Sequence, residues 1–172
     1  MKKPNYFIVA AVTIDGFIAR FPGQKSTDWT SAEDKKHLHA MEAKADVLLL
    51  ARKSYEIAGK ALEKKNCIVL SSSVSGVEQK TPFCFYINPA KVSLEKFIAQ
   101  KGYKKICVLG GRGAYNYCLE KGLVNEIFLT IEPVVFGEGI GMFNESVELR
   151  RFNLVSVKKL NSKGTVLLHY KK

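Results

Sequence analysis

The sequence predicts an α/β domain with a mostly parallel central sheet, helices on both faces and an antiparallel hairpin at the carboxyl end. Short apolar runs alternate with helical segments over the first two-thirds of the chain, as expected for strands joined by crossover helices. Two alternating runs flank Asn161–Gly164 near the end of the chain and predict a hairpin. No repeat, low-complexity segment or linker divides the sequence, so we expect one domain over residues 1–172.

Each predicted strand is a nearly continuous apolar run or an alternating run bounded by turn residues. The first is Tyr6–Val12, which ends at the turn Thr13–Gly16. The others are Asp46–Leu50, Cys67–Leu70, Phe83–Ile87, Lys105–Leu109, Glu126–Ile131, Phe152–Leu160 and Thr165–Tyr170. Two segments rich in Gly or lacking periodicity, Arg20–Thr30 and Glu132–Gly141, are predicted to be loops.

The predicted helices carry recognisable start and stop signals. Ser31 is a natural N-cap with Asp34 three residues on, and apolar residues then recur at helical spacing up to Ala45. Ser93 caps a helix that runs to Gln100, and Gly102 suits the position just beyond its end. The two remaining helices are Lys53–Gly59 and Ala114–Glu120.

The chain is strongly basic. It has 27 Lys and Arg against 16 Asp and Glu, a formal net charge of +11. Such a field attracts anions, so nucleic acid, an anionic membrane and a phosphorylated small molecule all fit, as does a solvated basic surface. The lysine pairs are scattered and no apolar segment is long enough to span a bilayer. We therefore expect neither a nucleic-acid partner nor a membrane.

The four cysteines, Cys67, Cys84, Cys107 and Cys118, form no C-x-x-C pair. This predicts unpaired thiols and a reducing cytoplasm. Met1–Lys3 followed by Tyr6–Val12 faintly resembles a signal peptide, but Asp15 interrupts it before any cleavage site. We interpret this segment as the first strand.

Ligands of such sheets bind at the carboxyl ends of the strands. The segment Gly110–Gly113 lies between a predicted strand and a predicted helix. Glycines there let the backbone approach a phosphate, and the helix supplies free N–H groups. The segment lacks the G-x-G-x-x-G pattern, and a simple tight turn is the alternative interpretation.

Two further strand ends carry polar groups. Arg52, Lys53 and Ser54 suit an anion such as the 2′-phosphate of NADP, or form an exposed basic turn. Ser71 and Ser72 can contact a cofactor phosphate or ribose, or simply form a turn.

A carboxylate in the first turn of a helix, here Asp34, can recognise the N–C–N edge of a heterocycle through two hydrogen bonds. Alternatively it only supports the helix cap, and Glu33 competes for either role. Trp29, the only tryptophan, fits either the core or a site. His37 and His39 are two residues apart and point to different helix faces, so we expect no metal site.

Taken in order, several segments resemble the dihydrofolate reductase superfamily over nearly the whole chain. They are Ala10–Ala19, Trp29 five residues before Asp34, Ala51–Glu56, Ile68–Ser72, Gly110–Tyr115 and Leu129–Thr130. Asp15–Ala19, Gly122–Ile127 and Glu132–Gly139 resemble the reductase domain of the bifunctional deaminase/reductase of riboflavin biosynthesis. The Trp29–Asp34 spacing and Leu62–Ser72 are similar to true dihydrofolate reductases.

The resemblance implies a homodimeric, NADPH-dependent reductase with a dihydrofolate-reductase-like fold. Its substrate would be a small nitrogen heterocycle with a phosphorylated group, and the chain would supply only the reduction step. The implied cofactor-binding residues are Ala11, Ile18, Arg52, Lys53, Ser54, Ser71, Ser72, Gly110, Gly111, Arg112, Gly113 and Ala114. Asp34 and Thr130 are the implied catalytic residues, and Asp15, Trp29, Asp34 and Lys65 the implied substrate-binding residues.

Two residues depart from the superfamily pattern. Ala51 replaces the usual glycine before the arginine of the second cofactor segment, and Lys65 replaces the arginine that grips the folate tail. Lysine cannot form the bidentate carboxylate contact of arginine. We rank the riboflavin-type pyrimidine reductase first and dihydrofolate reductase second. A non-enzymatic, basic nucleic-acid-binding domain is the third hypothesis.

Overall fold

A computed structural model describes residues 3–144 and 147–172. The strands are β1 (Asn5–Thr13), β2 (Phe17–Ala19), β3 (Val47–Ala51), β4 (Cys67–Leu70), β5 (Val77–Thr81), β6 (Cys84–Ile87), β7 (Lys105–Gly110), β8 (Val124–Glu132), β9 (Ile140–Gly141), β10 (Asn153–Lys159) and β11 (Val166–Lys171). The α-helices are α1 (Ala32–Lys44), α2 (Arg52–Ala58), α3 (Leu94–Lys101) and α4 (Arg112–Glu120).

Nine of the strands form one sheet, in the order β10-β11-β8-β1-β7-β3-β4-β6-β5. The six strands from β8 to β6 pair in parallel. The hairpin β10–β11 joins β8 antiparallel, and β5 joins β6 antiparallel at the other edge. The predicted three-layer architecture, with a mostly parallel sheet and a terminal hairpin, is confirmed.

The central strands are apolar because both of their faces are covered. All of β4 is buried, and only the last residue of β3 is not. Along β1, Ile8 and Ala10 face one core cluster while Phe7 and Val9 face the other, since successive side chains of a strand point to opposite faces. The two clusters pack the helices against opposite faces of the sheet.

The cap residues act as the sequence predicts. The side chain of Ser31 accepts a hydrogen bond from the backbone N–H of Asp34, and that of Ser93 accepts one from Lys96. Gly102 ends α3 in the left-handed region, at φ +72°, which glycine adopts without steric cost.

The sequence missed β5, whose five residues are all exposed. Its sequence, Val-Glu-Gln-Lys-Thr, has no apolar stripe because it covers no core and is held by backbone pairing with β6. Helix α4 begins at Arg112, two residues before the predicted start. The predicted loop Glu132–Gly141 begins with the last residue of β8 and ends in β9, which pairs with β2.

All four cysteines are buried and unpaired, as predicted. Burial raises the pKa of the Cys67 and Cys118 thiols to about 12, so these thiols behave as small apolar groups. Among the described residues, no helix combines the length and the apolar character needed to cross a membrane.

Candidate active site

The parallel strands all end at one side of the sheet, which we call the carboxyl edge. Gly110 at the end of β7 pairs with Leu50 of β3, and Ala51 pairs with Leu70 of β4. The segments that follow these three strands are therefore neighbours. They contain most of the sequence-predicted cofactor residues: Arg52, Lys53, Ser54, Ser71, Ser72, Gly110, Gly111, Arg112 and Gly113.

The diglycine bend, Gly110–Gly111, lies where β7 meets α4. Gly110 has φ +114°, and a Cβ there would lie 2.9 Å from the hydroxyl of Tyr115. The Tyr115 hydroxyl is fixed in place because it donates to the carbonyls of Val9 and Leu109, 3.1 and 3.0 Å away. A Cβ on Gly111 would lie 2.7 Å from Ser54 Oγ. Only glycine fits at both positions, and the Gly110–Gly111 peptide bond is cis.

Helix α4 starts directly after this bend, with Gly111 as its N-cap residue. Its first turn carries no acidic side chain, and Arg112 and Gly113 are exposed. Ala114, in contrast, is fully buried, and its N–H donates to the carbonyl of Gly111. The bend and the start of α4 thus present backbone and a cation to solvent, whereas the side chain of Ala114 packs into the core.

A cationic corner, Arg52 and Lys53, opens helix α2 beside the bend. Both side chains are exposed, and Arg52 forms an ion pair with Glu56 at 2.9 Å. An exposed pair of this kind contributes about 0–1 kcal/mol, so Arg52 is easily released to an anionic ligand. At the end of β4, Ser71 is buried in a turn in which its Oγ lies 2.7 Å from that of Ser73, while Ser72 is exposed.

The carboxyl group of Asp34 lies in the first turn of α1 and is only 6% exposed. Burial raises the pKa of this carboxyl, the Thr130 and Thr30 hydroxyls lower it, and the negative charge of Glu132 raises it, with a net upward shift. Thr130 lies on β8, where it pairs with Ala11 of β1. The two predicted catalytic residues, Asp34 and Thr130, are therefore brought together.

The Thr30 and Thr130 hydroxyls are buried beside this carboxyl and have no other hydrogen-bond partner among the described residues, and Trp29 Nε1, next to Thr30 in the sequence, is also buried without one. Buried donors and acceptors are rarely left unpaired in native proteins. Trp29 also packs edge-on against Phe136, with ring centroids 5.1 Å apart. Asp34, Thr30 and Thr130 thus form one buried polar cluster at the start of α1.

The carboxylate of Asp15 joins two loops beside β1. It accepts hydrogen bonds from the Thr13 hydroxyl at 2.6 Å and from the backbone N–H groups of Phe136 and Gly137, at 3.2 and 2.7 Å. Thr13 and these N–H groups hold the pKa of Asp15 below its usual value, because they favour the charged form. Asp15 thus has a structural role at the rim of the site, and its contact with substrate remains a prediction.

The structure does not bring Lys65 to this site. Lys65 precedes β4 and therefore lies at the opposite edge of the sheet, where it pairs with Glu42 near the end of α1. There it lines a cavity of about 290 Å³ together with His39 and Asp46. The implied role of Lys65 in gripping a substrate tail would need a ligand that reaches this far edge.

Ile18 is half-buried in β2 and packs against the core, and Ala11 is half-buried in β1. Sequence reasoning missed Thr30, Phe136 and Glu132 as members of the site. Glu132 is 3% exposed and binds Ser31 and Thr165. No local signal could reveal it, because these partners are 101 and 33 residues away in sequence. Among the described residues, no group of three or more His, Cys, Asp or Glu side chains is arranged to hold a metal.

This combination of a parallel sheet, a diglycine bend at its carboxyl edge and a buried carboxyl beside the first strand defines a domain of the dihydrofolate-reductase-like class. The profile of the family described as RibD C-terminal domain matches residues 60–166, more than half of the 172 residues. The chain belongs to this family.

Three known proteins are similar to this chain. YwjB of Bacillus subtilis, named as an uncharacterized protein, is 27% identical over 93% of both chains. RibD of Acinetobacter baumannii is 17% identical with a TM-score of 0.77, and 98% of this chain matches 58% of that one. The Thermotoga maritima diaminohydroxyphosphoribosylaminopyrimidine deaminase/5-amino-6-(5-phosphoribosylamino)uracil reductase has a TM-score of 0.72 at 16% identity, with 98% of this chain matching 56% of that chain.

At these identities, the likeness to the solved structures shows the fold. The chain spans a little over half the length of the Acinetobacter baumannii and Thermotoga maritima proteins.

Proposed function

We propose that this protein is an NADPH-dependent reductase that acts on a ribosylaminopyrimidine of the 5-amino-6-(5-phosphoribosylamino)uracil type. The single observation that carries this proposal is the arrangement of the carboxyl edge. It has the diglycine bend and a cationic corner on one side, and a buried carboxyl group with two threonine hydroxyls beside it on the other. Membership of the RibD C-terminal domain family supports the same activity.

The residues present fit a phosphorylated nicotinamide dinucleotide. At the diglycine bend neither residue has a side chain, and the first turn of α4 carries an exposed Arg112 and no acidic group, so a pyrophosphate could meet backbone N–H groups at the start of this helix. Arg52, Lys53 and Ser54 would hold the 2′-phosphate, with Ser71 and Ser72 beside the adenosine. Arg112, Gly113 and Ala114 would complete the pyrophosphate contacts, and Ala11 and Ile18 would border the nicotinamide.

When bound, the nicotinamide supplies a hydride to an electrophilic carbon of the substrate. The protein orients the substrate, excludes water and moves a proton. The raised pKa of Asp34 lets its carboxyl group hold a proton closer to neutral pH than an exposed aspartate can. Thr130 would assist from the neighbouring strand, while Trp29 and Asp15 would border the substrate. The net charge of +11 suits a phosphorylated substrate together with a phosphorylated cofactor.

Reduction of dihydrofolate is a second candidate, which the position of Asp34 itself favours. A carboxylate can accept two hydrogen bonds from the N–C–N edge of a pterin, and Asp34 is buried where such a ring would enter. Lys65 counts against this candidate, because it lies at the far edge of the sheet and is paired with Glu42.

The test combines binding with turnover. Thermal shift is measured with NADPH and NADH, since a ligand that binds only the native state raises its apparent stability. NADPH oxidation is then followed with the ribosylaminopyrimidine and with dihydrofolate. We expect NADPH to stabilise the protein more than NADH does, and turnover with the pyrimidine. Fast turnover of dihydrofolate alone would favour the second candidate. Absence of NADPH binding, combined with salt-dependent DNA binding, would overturn both.

The cellular setting is also a proposal. Four buried, unpaired thiols suit a reducing cytoplasm. Leu154, Val155 and Val157 of β10 are exposed apolar side chains, which a homodimer could bury. Light scattering of the purified chain measures its mass directly, and a monomeric mass would overturn the dimer.

A further inference from the structure

Glu132, at the last position of β8, is a buried carboxylate with three donors around it. Its Oε1 accepts hydrogen bonds from both the backbone N–H and the hydroxyl of Ser31, each at 2.7 Å. Its Oε2 accepts one from the Thr165 hydroxyl, also at 2.7 Å. A carboxylate accepts hydrogen bonds only, so it suits a place where every neighbour donates.

Ser31 links Glu132 to Asp34 through hydrogen bonds. The Ser31 hydroxyl, which donates to Glu132, also accepts the backbone N–H of Asp34 at 3.2 Å. Ser31 is the N-cap of α1, so the position of its side chain determines where the helix begins. The end of β8 therefore sets the place of the first turn of α1, and with it the place of the Asp34 carboxyl group.

The other oxygen of Glu132 ties this turn to the terminal hairpin. The side-chain amide of Asn161, in the loop between β10 and β11, donates to Thr165 Oγ1 at 2.9 Å and to the Glu33 carboxylate at 3.0 Å. Glu33 and Asp34 both belong to the first turn of α1. The hairpin loop thus contacts the first turn of α1 through Asn161, and the end of β8 contacts the N-cap of the same helix through Glu132.

We propose that Glu132 is a positioning residue, which holds Ser31, and through it the Asp34 carboxyl group, at the carboxyl edge and links both to the hairpin loop. Its catalytic consequence rests on the proposed reductase function. The geometry itself does not, because it consists of hydrogen bonds within the chain.

Charge supports this role of Glu132. The charged and titratable groups that act on or face Asp34 are Glu132 on β8, Lys35 on α1 and Tyr115 on α4. Glu132 raises the pKa of Asp34 and Lys35 lowers it. Removal of the Glu132 charge should therefore make Asp34 ionise at lower pH, a change that removal of a charge remote from Asp34 would not produce.

The test compares Glu132→Gln with the exposed Glu63→Gln as a matched control. Glutamine keeps the shape and one acceptor but loses the charge. The titration of Asp34 is followed by carbon-13 NMR of its carboxyl, assigned by the signal that Asp34→Asn loses. We expect Glu132→Gln to lower the midpoint of this titration and to move the pH profile of NADPH oxidation in the same direction. We expect kcat to fall roughly 10- to 100-fold from misplacement, with the KM for NADPH unchanged.

Thr165→Val is a second, milder variant that cuts only the link to the hairpin. It should lower kcat less than Glu132→Gln and leave the Asp34 titration near that of the wild type. An unchanged Asp34 titration and pH profile in a folded Glu132→Gln protein would overturn the proposal. If that variant fails to fold, Ser31→Ala is used instead, because it removes the same hydroxyl link. Its kcat is then measured, and a kcat equal to that of the wild type would overturn the proposal. The NMR titration needs no turnover, so an inactive wild type would overturn the proposed function and still test Glu132.

Discussion

Ser31 donates two hydrogen bonds to Glu132, one from its backbone N–H and one from its hydroxyl, both at 2.7 Å. This pair joins the start of helix α1 to the end of strand β8. It places two buried carboxyl groups, Asp34 and Glu132, on either side of one serine. Burying two acidic groups together costs stability. Burial and the negative charge of Glu132 both raise the pKa of Asp34.

Asp34→Asn should therefore stabilise the fold at neutral pH while it strongly lowers activity. Because the pKa of Asp34 is higher in the native state than in the unfolded chain, ionisation at neutral pH weakens the native state. This penalty is fully present above the raised pKa, and it is lost as the pH falls below the ordinary value of 3.8. Thermal unfolding at pH 7 should show a Tm higher by a few degrees, at about 2–4 °C per kcal/mol.

The same substitution removes the proton-bearing group, so we expect kcat to fall about 10²- to 10⁴-fold. The Tm advantage of the variant should shrink as both proteins are unfolded at progressively lower pH. A variant that is less stable than the wild type at pH 7 would contradict the prediction that ionisation of the buried Asp34 weakens the native state.

Arg52→Ala should weaken the binding of NADPH much more than that of NADH. Only NADPH carries the 2′-phosphate, and a hydrogen bond to a charged group contributes about 1.5–3 kcal/mol, which corresponds to roughly 10- to 100-fold in Kd. Stability should hardly change, because Arg52 is exposed and its one ion pair within the described part of the chain is with the exposed Glu56. Fluorescence titration with both cofactors measures the two losses.

Lys64→Ala is the matched control for this experiment. Lys64 is an exposed cation that precedes β4, at the opposite edge of the sheet. Its removal changes the net charge of +11 by the same amount. Equal effects of the two variants on NADPH binding would mean that overall charge, and not the cationic corner, attracts the cofactor.

Gly110→Ala should destabilise the protein more than Gly23→Ala does. Both glycines have positive φ, +114° and +92°, so each alanine brings backbone strain of about 1–3 kcal/mol. Gly23 has no atom within 4 Å of a new Cβ, whereas at Gly110 the Cβ would meet the Tyr115 hydroxyl at 2.9 Å. Denaturant unfolding measures the loss in the free energy of unfolding for both variants. The extra loss in Gly110→Ala reports the steric clash with Tyr115, and equal losses would contradict that clash.

Asp15→Asn should loosen the loop at Phe136 and Gly137. An asparagine can keep one acceptor for the Thr13 hydroxyl, but its amide N–H group would face the N–H of Gly137 and lose that hydrogen bond. Hydrogen exchange at the Gly137 amide should become faster, while the exposed position of Asp15 leaves the Tm nearly unchanged. Slow exchange in the variant would show that other contacts hold this loop.

The wild-type loop should also resist acid. The pKa of Asp15 lies below its usual 3.8 because of the Thr13 hydroxyl and the N–H groups of Gly137 and Phe136. The carboxylate therefore keeps its hydrogen bonds as the pH falls to that ordinary value, and protection of the Gly137 amide should be lost only below it.

Much of the fold could be predicted because its signals are local. The apolar run Cys67–Leu70 becomes β4 with the predicted bounds, and Ser31 and Gly102 cap helices as their residue types predict. Strand β5 could not be predicted in this way, since its exposed residues follow no apolar period and its partner β6 alone makes it a strand.

The candidate site was predictable in part. Gly110–Gly111 and Arg52 lie at or directly after strand ends along the chain, and parallel strands bring such ends to one edge, whereas Asp34 was predicted from its place in the first turn of a helix. Lys65 shows the limit of this reasoning. Its place in the sequence matched a family position, but it precedes its strand and so lies at the other edge.

The sequence by itself determined the alternation of strands and helices, the caps and the glycines of the bend, because each depends on residues near one another in the chain. Only the tertiary structure decided that Asp34 is buried, that the Thr30 and Thr130 hydroxyls lie beside it, and that Glu132 holds Ser31. The Ser31–Glu132 contact joins residues 101 positions apart. Desolvation and hydrogen bonding over such separations arise only once the sheet has brought the strand ends together.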